Sequence, residues 1–185
     1  VQDRFWAQLD TTYFLRHDPQ EIAWQTRNLH FRVESARPVV KARLAPIGEG
    51  LQVMIYMPDR EALFARICGY FERAGFNIVE AKIHTTRHRY ALDTFLVMGY
   101  GRGVHYRDLI SLIEQGLAEE LESRAPLGAP RGGRISRRVR YYPISPVVDL
   151  RPDDRGAYHV LSIVAADRPG LLYGMARLLA GHRIN

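Results

Sequence analysis

The sequence predicts an α+β protein that carries a ferredoxin-like βαββαβ unit in tandem, with the second copy truncated. The first observation is an internal repeat, in which residues 53–77 and 161–185 align without a gap at an offset of 108 positions (167 − 59). The second is a run of strand-like and helix-like apolar periodicities between residues 49 and 150. A repeated strand–loop–helix unit indicates a duplicated small domain. The identical pairs include Asp59/Asp167, Arg60/Arg168, Leu63/Leu171 and Asn77/Asn185.

Residues 49–150 are predicted to form the first complete domain. Their strand–helix–strand–strand–helix–strand order is the ferredoxin-like arrangement, in which both helices cover one face of an antiparallel sheet. Gly75 is placed to end the first helix. The pattern restarts after Pro152, so residues 157–185 are predicted to be the first half of a second domain. The predicted elements are a strand over 51–57 with one apolar face, a helix over 63–71, strands over 79–86 and 90–98, a helix over 109–121 and a fourth strand within 137–150.

Residues 1–48 are predicted to be a helical lead-in. Asp18 is suited to cap a helix that has Pro19 in its first turn, and Glu21 is spaced to reach back to the cap. An apolar stripe follows at helical spacing, which predicts a core or docking surface. The apolar period weakens after Pro38, so residues 31–48 are predicted to lead irregularly into the first domain. The stripe consists of Ile22, Ala23, Thr26 and Leu29.

Composition restricts the function classes. The 185 residues carry a net charge of +6, almost wholly from arginine, and 46% of them are hydrophobic. The one arginine cluster, within 131–140, lies in a stretch rich in proline and glycine and lacks the aromatic alternation used for base stacking, so a solvated connector is favoured. The single cysteine, Cys68, falls on an apolar helix face as a core residue, which favours a reducing, cytoplasmic setting. No segment reaches the apolar length of a membrane span.

The turn before the helix of the second copy is the strongest candidate site. In Asp167-Arg168-Pro169-Gly170-Leu171, the aspartate can cap the helix, the proline suits its first turn and the glycine leaves room beside the backbone. Free N–H groups at a helix start can receive a carboxylate, such as that of a free amino acid. An efficient turn that binds no ligand explains the same residues.

These residues resemble a known signature. Asp-Arg-Pro-Gly-Leu-Leu at 167–172, followed by Ile184-Asn185, is similar to the signature of ACT domains, small ferredoxin-like modules that sense amino acids. Two further blocks resemble the C-terminal tandem ACT region of the bifunctional uridylyltransferase/uridylyl-removing enzymes, which modify PII signalling proteins in bacterial nitrogen control. The blocks are Ala81-Lys82-Ile83-His84-Thr85-Thr86 with Ala91-Leu92-Asp93-Thr94-Phe95, and Tyr13-Phe14-Leu15-Arg16-His17 with Glu21-Ile22-Ala23-Trp24.

The resemblance implies a regulatory region. In that family the ACT pair senses glutamine and switches a nucleotidyltransferase and an HD-type phosphodiesterase in opposite directions. It therefore implies glutamine as effector, a PII protein as substrate of the parent enzyme, pairing between ACT domains and a bacterial cytoplasmic location. It also implies that residues 1–48 follow an HD-type domain, that magnesium and UTP bind at domains outside these residues, and that the residues themselves hold no cofactor or catalytic group.

The resemblance also assigns site residues. Asp167, Arg168, Pro169, Gly170 and Leu171 would line the main-chain end of the amino acid, with Asn185 or Asn77 opposite, since an amide both donates and accepts hydrogen bonds. For Asn77, a left-handed helix cap is an alternative explanation. Asp59 and Arg60 are the matching residues of the first copy. There Glu61-Ala62 replaces the Pro-Gly of the signature, so a ligand carboxylate would meet repulsion and less space.

Other readings remain open. An ACT module that senses another amino acid in a different enzyme, a structural dimerisation domain and a basic nucleic-acid-binding module are the alternatives, the last disfavoured because acidic and small residues occupy the second and third strands. His84 and His88 straddle a strand end and a turn, so a metal site is not expected. Asp93 is predicted to pair with Arg87 or Lys82 across a hairpin.

Overall fold

The computed structural model describes residues 2–99, 105–130, 145–153, 159–166, 168, 170–182 and 184. Two antiparallel sheets and their helices form an α+β architecture compatible with the ferredoxin-like ACT fold, so the predicted fold class is confirmed. No helix in the described ranges is long and apolar enough to cross a membrane. The helices are α1 (Gln2–Trp6), α2 (Thr11–Arg16), α3 (Pro19–Leu29), α4 (Leu63–Arg73), α5 (Tyr106–Glu122) and α6 (Leu171–Gly181). The strands are β1 (Val39–Leu44), β2 (Leu51–Pro58), β3 (Phe76–Lys82), β4 (Tyr90–Gly99), β5 (Val147–Pro152) and β6 (His159–Val164).

The larger sheet has the strand order β1-β2-β4-β3, with every neighbouring pair antiparallel. One face packs against α4 and α5, as the predicted helix stripes require, because apolar side chains at helical spacing must be buried against another element. Gly75 adopts a φ of 79° just after α4, so it ends this helix as predicted. The core on this face includes Val53, Ile55, Ile67, Phe71, Phe95, Ile113 and Leu117.

The N-terminal helices cover the opposite face of the same sheet. Phe5, Tyr13 and Leu29 pack there against Met54 and Tyr56 of β2. Seven consecutive residues of β2 are therefore buried, although its alternation predicted a strand with a single apolar face. The helical lead-in thus forms the third layer of the domain.

The edge of the sheet differs from the prediction. Residues 31–48 were expected to be irregular, but Val39–Leu44 forms β1 and pairs antiparallel with β2. A ferredoxin-like unit places its fourth strand at this position, antiparallel to its first. A strand does begin within 137–150, at Val147, but this β5 pairs with β6 in a separate sheet. The arginine cluster within 131–140 lies outside the described residues.

The register of the two hairpins shows that the repeat begins earlier than the sequence comparison indicated. Val39 pairs with Tyr56 in the first hairpin, and Val147 pairs with Val164 in the second, each exactly one repeat offset of 108 positions apart (147 − 39 and 164 − 56). All six pairs of β1–β2 correspond in this way to the six pairs of β5–β6. The shared unit is therefore strand–strand–helix, and β5 is the counterpart of β1.

The second predicted strand is shorter and less regular than its alternation suggested. It ends at Lys82, and its register against β4 shifts between Ile78 and Glu80. An extra residue at such a bulge reverses the alternation, so Ile78 and Ala81 pack on the helix-covered core while Val79 is exposed. Sequence analysis had placed Val79 and Ala81 on one face.

Candidate functional site

Both strand-to-helix turns share one unusual backbone conformation. Ala62 precedes α4 with a φ of 58°, and Gly170 precedes α6 with a φ of 77°. The two residues are equivalent in the repeat (170 − 62 = 108). The N-cap residue of α4, Ala62, makes no side-chain hydrogen bond, and the predicted cap of α6, Asp167, lies outside the described residues. The left-handed conformation explains glycine at position 170 without any ligand.

Substitution at this position should affect the two copies in opposite directions. A left-handed conformation costs a residue with a Cβ about 1–2 kcal/mol, and part of this cost is offset by the greater freedom of glycine in the unfolded chain. Ala62→Gly is therefore expected to stabilise the chain by about 0.5–1 kcal/mol, and Gly170→Ala to destabilise it by a similar amount. Urea unfolding of both variants checks this. An Ala62→Gly variant less stable than the parent chain would contradict the strain at Ala62.

The predicted residues of the first turn, Asp59 and Arg60, make hydrogen bonds within the protein. Arg60 donates a hydrogen bond to the Leu121 carbonyl at the end of α5, and burial lowers its pKa. The backbone N–H of Asp59 donates to the Arg89 carbonyl at 2.9 Å, and the Asp59 side chain is exposed. Arg60 therefore joins the turn to α5.

The second turn is described in part. Arg168 is exposed and Leu171 is half-buried, while Asp167, Pro169 and Asn185 lie outside the described residues. Asn77 is exposed in β3, opposite Met98, and is not among the described non-glycine residues with positive φ, so it is no left-handed cap. It follows the C-terminal end of α4, a helix about 16 Å long, and is thus remote from Asp59 at the other end.

Helices α4 and α6 bring the two copies into contact. Ala65 and Cys68 of α4 form a small buried cluster with Tyr173 and Ala176 of α6. A Cβ on Gly69 would lie 2.8 Å from the Tyr173 ring, so glycine is needed for this approach. Ala65 and Tyr173 are equivalent repeat positions, as are Cys68 and Ala176, so the two helices meet through the same face. Cys68 is buried, as predicted, and burial raises its pKa to about 12.

A buried polar network between α3 and the sheet was missed by sequence analysis. Glu21 is completely buried, and its carboxylate accepts hydrogen bonds from Lys82 Nζ at 2.8 Å and from Gln52 Nε2 at 3.1 Å. Gln25 Nε2 donates to Thr94 Oγ1 at 3.0 Å. Glu21 therefore does not reach back to the helix cap as predicted, whereas Asp18 does cap α3, accepting from the backbone N–H groups of Gln20 and Glu21. Gln52, a polar residue inside an otherwise apolar strand, was the one feature of the sequence that indicated a buried polar network here.

This network lines a cavity of about 150 Å³ beside α3, which we name the α3 cavity. Glu21, Gln52 and Thr94 form its buried floor, and Asp18 and Glu80 are exposed at its mouth. Side chains of α3, β2, β3 and β4 thus meet around one small polar space. The polar groups of this lining distinguish the cavity from a packing defect, which is apolar.

Asp93 is buried on the other face of the sheet, where it alternates with Leu92 and Thr94 and lies near Cys68 of α4, and it has no cationic partner among the described residues. Its carboxylate accepts a hydrogen bond from the His84 backbone N–H at 3.3 Å, and burial raises its pKa to about 7. The predicted pairing is wrong, because Lys82 binds Glu21 and the Arg87 guanidinium donates to the Ala7 carbonyl. Burial also lowers the pKa of His84. Within the described ranges, no three His, Cys, Asp or Glu side chains are grouped to hold a metal ion.

The sequence of this chain is similar to those of known enzymes. The chain is 57% identical over its full length to the bifunctional uridylyltransferase/uridylyl-removing enzyme of Ralstonia nicotianae. It is 57% identical to the enzyme of the same name from Cupriavidus pinatubonensis, and 54% identical to that from Burkholderia thailandensis, over 97% of the chain in each case. The family model described as uridylyltransferase GlnD fifth domain matches residues 1–28, which include α1, α2 and most of α3. No solved structure matches significantly.

The matches cover only part of each relative. The chain spans about a fifth of the length of the curated relatives, 22% of the Ralstonia enzyme and 21% of the other two. Sequence identity above 50% across 97% or more of a chain of 185 residues shows shared descent. The resemblance found in three separate sequence blocks is therefore confirmed. The chain is therefore homologous, along its whole length, to the C-terminal part of the bifunctional uridylyltransferase/uridylyl-removing enzymes.

Proposed function

We propose that this chain is the region through which a bifunctional uridylyltransferase/uridylyl-removing enzyme senses glutamine. The observation that carries the proposal is similarity to these enzymes along the whole chain, joined to an α+β fold compatible with ACT domains. The parent enzyme would act on a PII signalling protein at catalytic domains elsewhere in the polypeptide. This region would be regulatory, and we place the protein in the bacterial cytoplasm.

The proposed regulation is a population shift between two arrangements of the ACT pair. The two copies touch through equivalent faces of α4 and α6, and α6 starts at the Gly170 turn. Glutamine bound at this turn, with its carboxylate toward the free N–H groups, would change how α6 packs against α4. A coupling free energy of about 1–3 kcal/mol is enough to alter activity usefully.

Calorimetric titration of L-glutamine into the chain tests the proposal, with L-asparagine and L-glutamate as controls. Selective heat with glutamine is expected. Gly170→Asn separates the turn from other locations, because asparagine tolerates the left-handed conformation and places a side chain where the ligand would approach. Loss of binding in this variant supports the turn as the site, and equal binding in variant and parent excludes it. No heat with any of the three amino acids would contradict glutamine sensing.

Pairing between ACT domains is a second candidate function, favoured by the exposure of β5 and β6. Both strands carry large apolar side chains that are more than a third exposed, although an antiparallel pair normally buries at least one face. Such strands invite pairing with a further strand or a second copy. Sedimentation analysis tests this function, since a purely structural pairing domain would self-associate with no response to glutamine. The exposed residues are Val147, Val148, Leu150, Val160, Leu161, Ile163 and Val164.

A further inference from the structure

Tyr173, in the first turn of α6, is buried between α4 and the segment that follows α5. It is only 2% exposed. Its ring packs so closely on α4 that a Cβ at Gly69 would lie 2.8 Å from it, and its hydroxyl donates a hydrogen bond to the Gly128 carbonyl at 2.8 Å. A buried tyrosine hydroxyl requires an acceptor, because an unpaired hydroxyl costs the free energy of its desolvation. Tyr173 therefore joins three parts of the chain through one side chain.

The segment that Tyr173 contacts is held from both copies of the repeat. Residues 123–130, which we name the linker, form neither helix nor strand, so side-chain contacts position them. Arg66 of α4 donates a hydrogen bond to the Ala125 carbonyl at 2.6 Å, and Leu127 packs on the buried cluster between α4 and α6. The first copy thus holds the beginning of the linker, and the second copy holds its later part through Tyr173.

This contact is not a general property of the repeated unit. Tyr173 corresponds to Ala65 in the first copy (173 − 65 = 108), and Gly69 corresponds to Arg177 in the second (177 − 69 = 108). The repeat equivalent of the contact between Tyr173 and Gly69 would join Ala65 to Arg177, which supplies neither an aromatic ring nor a hydroxyl. The two helices meet through equivalent faces, but the hydrogen bond to the linker belongs to the second copy alone.

The position of α6 and the position of the linker depend on each other. Release of α6 from α4 would remove the donor to the Gly128 carbonyl and the α6 part of the cluster that covers Leu127. Release of the linker would leave the Tyr173 hydroxyl without its acceptor, which weakens the contact between the helices by the same free energy. Gly170 precedes Tyr173 by three residues, so a change at this turn reaches Tyr173 within one turn of helix.

We infer that Tyr173 is a latch, which closes the linker over the contact between α4 and α6 and holds the two copies in one arrangement. This inference deepens the proposed function and rests on it, because it gives the shift between two arrangements of the ACT pair a specific contact that must break. Glutamine bound at the Gly170 turn would act on the latch through the first turn of α6.

Cys68 provides a probe of the latch within the chain itself. It is the one cysteine of the sequence, and it is buried in the cluster between α4 and α6. An aromatic disulfide reagent that releases a coloured thiolate can reach this thiol when α6 moves away from α4. In excess reagent, the rate of colour formation therefore measures the fraction of molecules in which the contact is open.

The test compares this rate in the parent chain and in Tyr173→Phe, which keeps the ring and removes the hydroxyl. The rate is expected to rise about threefold to tenfold, because one buried hydrogen bond is lost. The matched control is Tyr70→Phe, which removes a bond of the same kind, from Tyr70 to the Leu112 carbonyl at 3.0 Å, within the first copy. Its rate is expected to equal that of the parent chain. Equal rates in Tyr173→Phe and the parent would overturn the latch, whatever glutamine does.

Addition of L-glutamine separates the latch from the proposed function. In the parent chain, saturating glutamine is expected to change the rate about fivefold or more, and in Tyr173→Phe the change is expected to be smaller. Equal changes in both proteins would show that glutamine shifts the arrangement by another route, which overturns the latch and leaves glutamine sensing intact. A faster rate in Tyr173→Phe with no effect of glutamine on either protein would support the latch and contradict glutamine sensing.

Discussion

Replacing Asp93 by asparagine is expected to stabilise the chain by up to roughly 4 kcal/mol at pH 8 and by almost nothing near pH 4. Burial raises the pKa of Asp93 from its ordinary value of 3.8 to about 7 in the folded chain. The unfolded chain therefore releases this proton at lower pH than the folded chain does. The contribution of Asp93 to stability is complete below pH 3.8, falls as pH rises toward 7, and is constant above that. Asparagine carries no charge at any of these pH values.

Urea unfolding of both proteins between pH 4 and pH 8 measures the effect. The difference between the two free energies of unfolding isolates Asp93, because other groups titrate alike in both proteins. His84 is one such group. Its pKa is lowered on folding, so its contribution is lost as pH falls below about 6.5, in the opposite direction. The asparagine side chain can still accept the His84 backbone hydrogen bond. Parallel stability profiles for the two proteins would show that Asp93 is not held neutral by its surroundings.

Replacing Lys82 by methionine is expected to cost about 2–3 kcal/mol of folding free energy. Glu21 is completely buried. Without Lys82, the one described hydrogen-bond donor to its carboxylate is the neutral Gln52 amide at 3.1 Å, and His17 Nε2 lies 3.9 Å away. Removing one partner of a buried pair leaves a charge that the interior does not compensate, and losses of about 3–5 kcal/mol follow for fully buried pairs. The expected loss is smaller because the Lys82 side chain is 27% exposed.

The chain contains a matched control for this experiment. Lys41 is its other lysine and pairs with Glu114 at 2.9 Å, with both side chains partly exposed. Lys41→Met is expected to cost less than about 1 kcal/mol, as exposed pairs do. Adding Glu21→Gln to Lys82→Met should restore most of the lost stability, since the buried charge is then absent. Equal losses for the two lysine variants would contradict a special role for the buried pair.

Local patterns predicted the elements whose cause is local. The helix over 63–71, the strand over 90–98 and the helix over 109–121 are present, because apolar spacing specifies which face each buries. Asp18 and Gly75 begin and end their helices as predicted, since caps depend on neighbouring backbone groups. Glu21 shows the limit of this reasoning. Its spacing fits a local capping box, but Lys82, sixty-one residues away, takes its carboxylate.

The candidate site was predictable to a smaller extent. The repeat located both strand-to-helix turns, and Gly170 and Leu171 lie where the resemblance placed them, at the start of α6. Arg60 and Asn77 have surroundings that no local pattern reveals, since one contacts the end of α5 and the other faces solvent from β3. The α3 cavity was not foreseen at all. Its residues come from four segments that only folding brings together.

The sequence by itself determined the repeat, the family and most helices and strands within residues 49–150. Residue identity and the spacing of apolar residues can both be read directly along the chain. Only the tertiary structure decided that Val39–Leu44 completes the sheet and that β5 pairs with β6. Strand pairing depends on which strand edges meet in the folded chain. The apolar pattern of a strand of six residues is too short to identify the strand with which it pairs. The burial of Glu21 was likewise decided by the packing of the N-terminal helices over a sheet face whose cover the sequence did not predict.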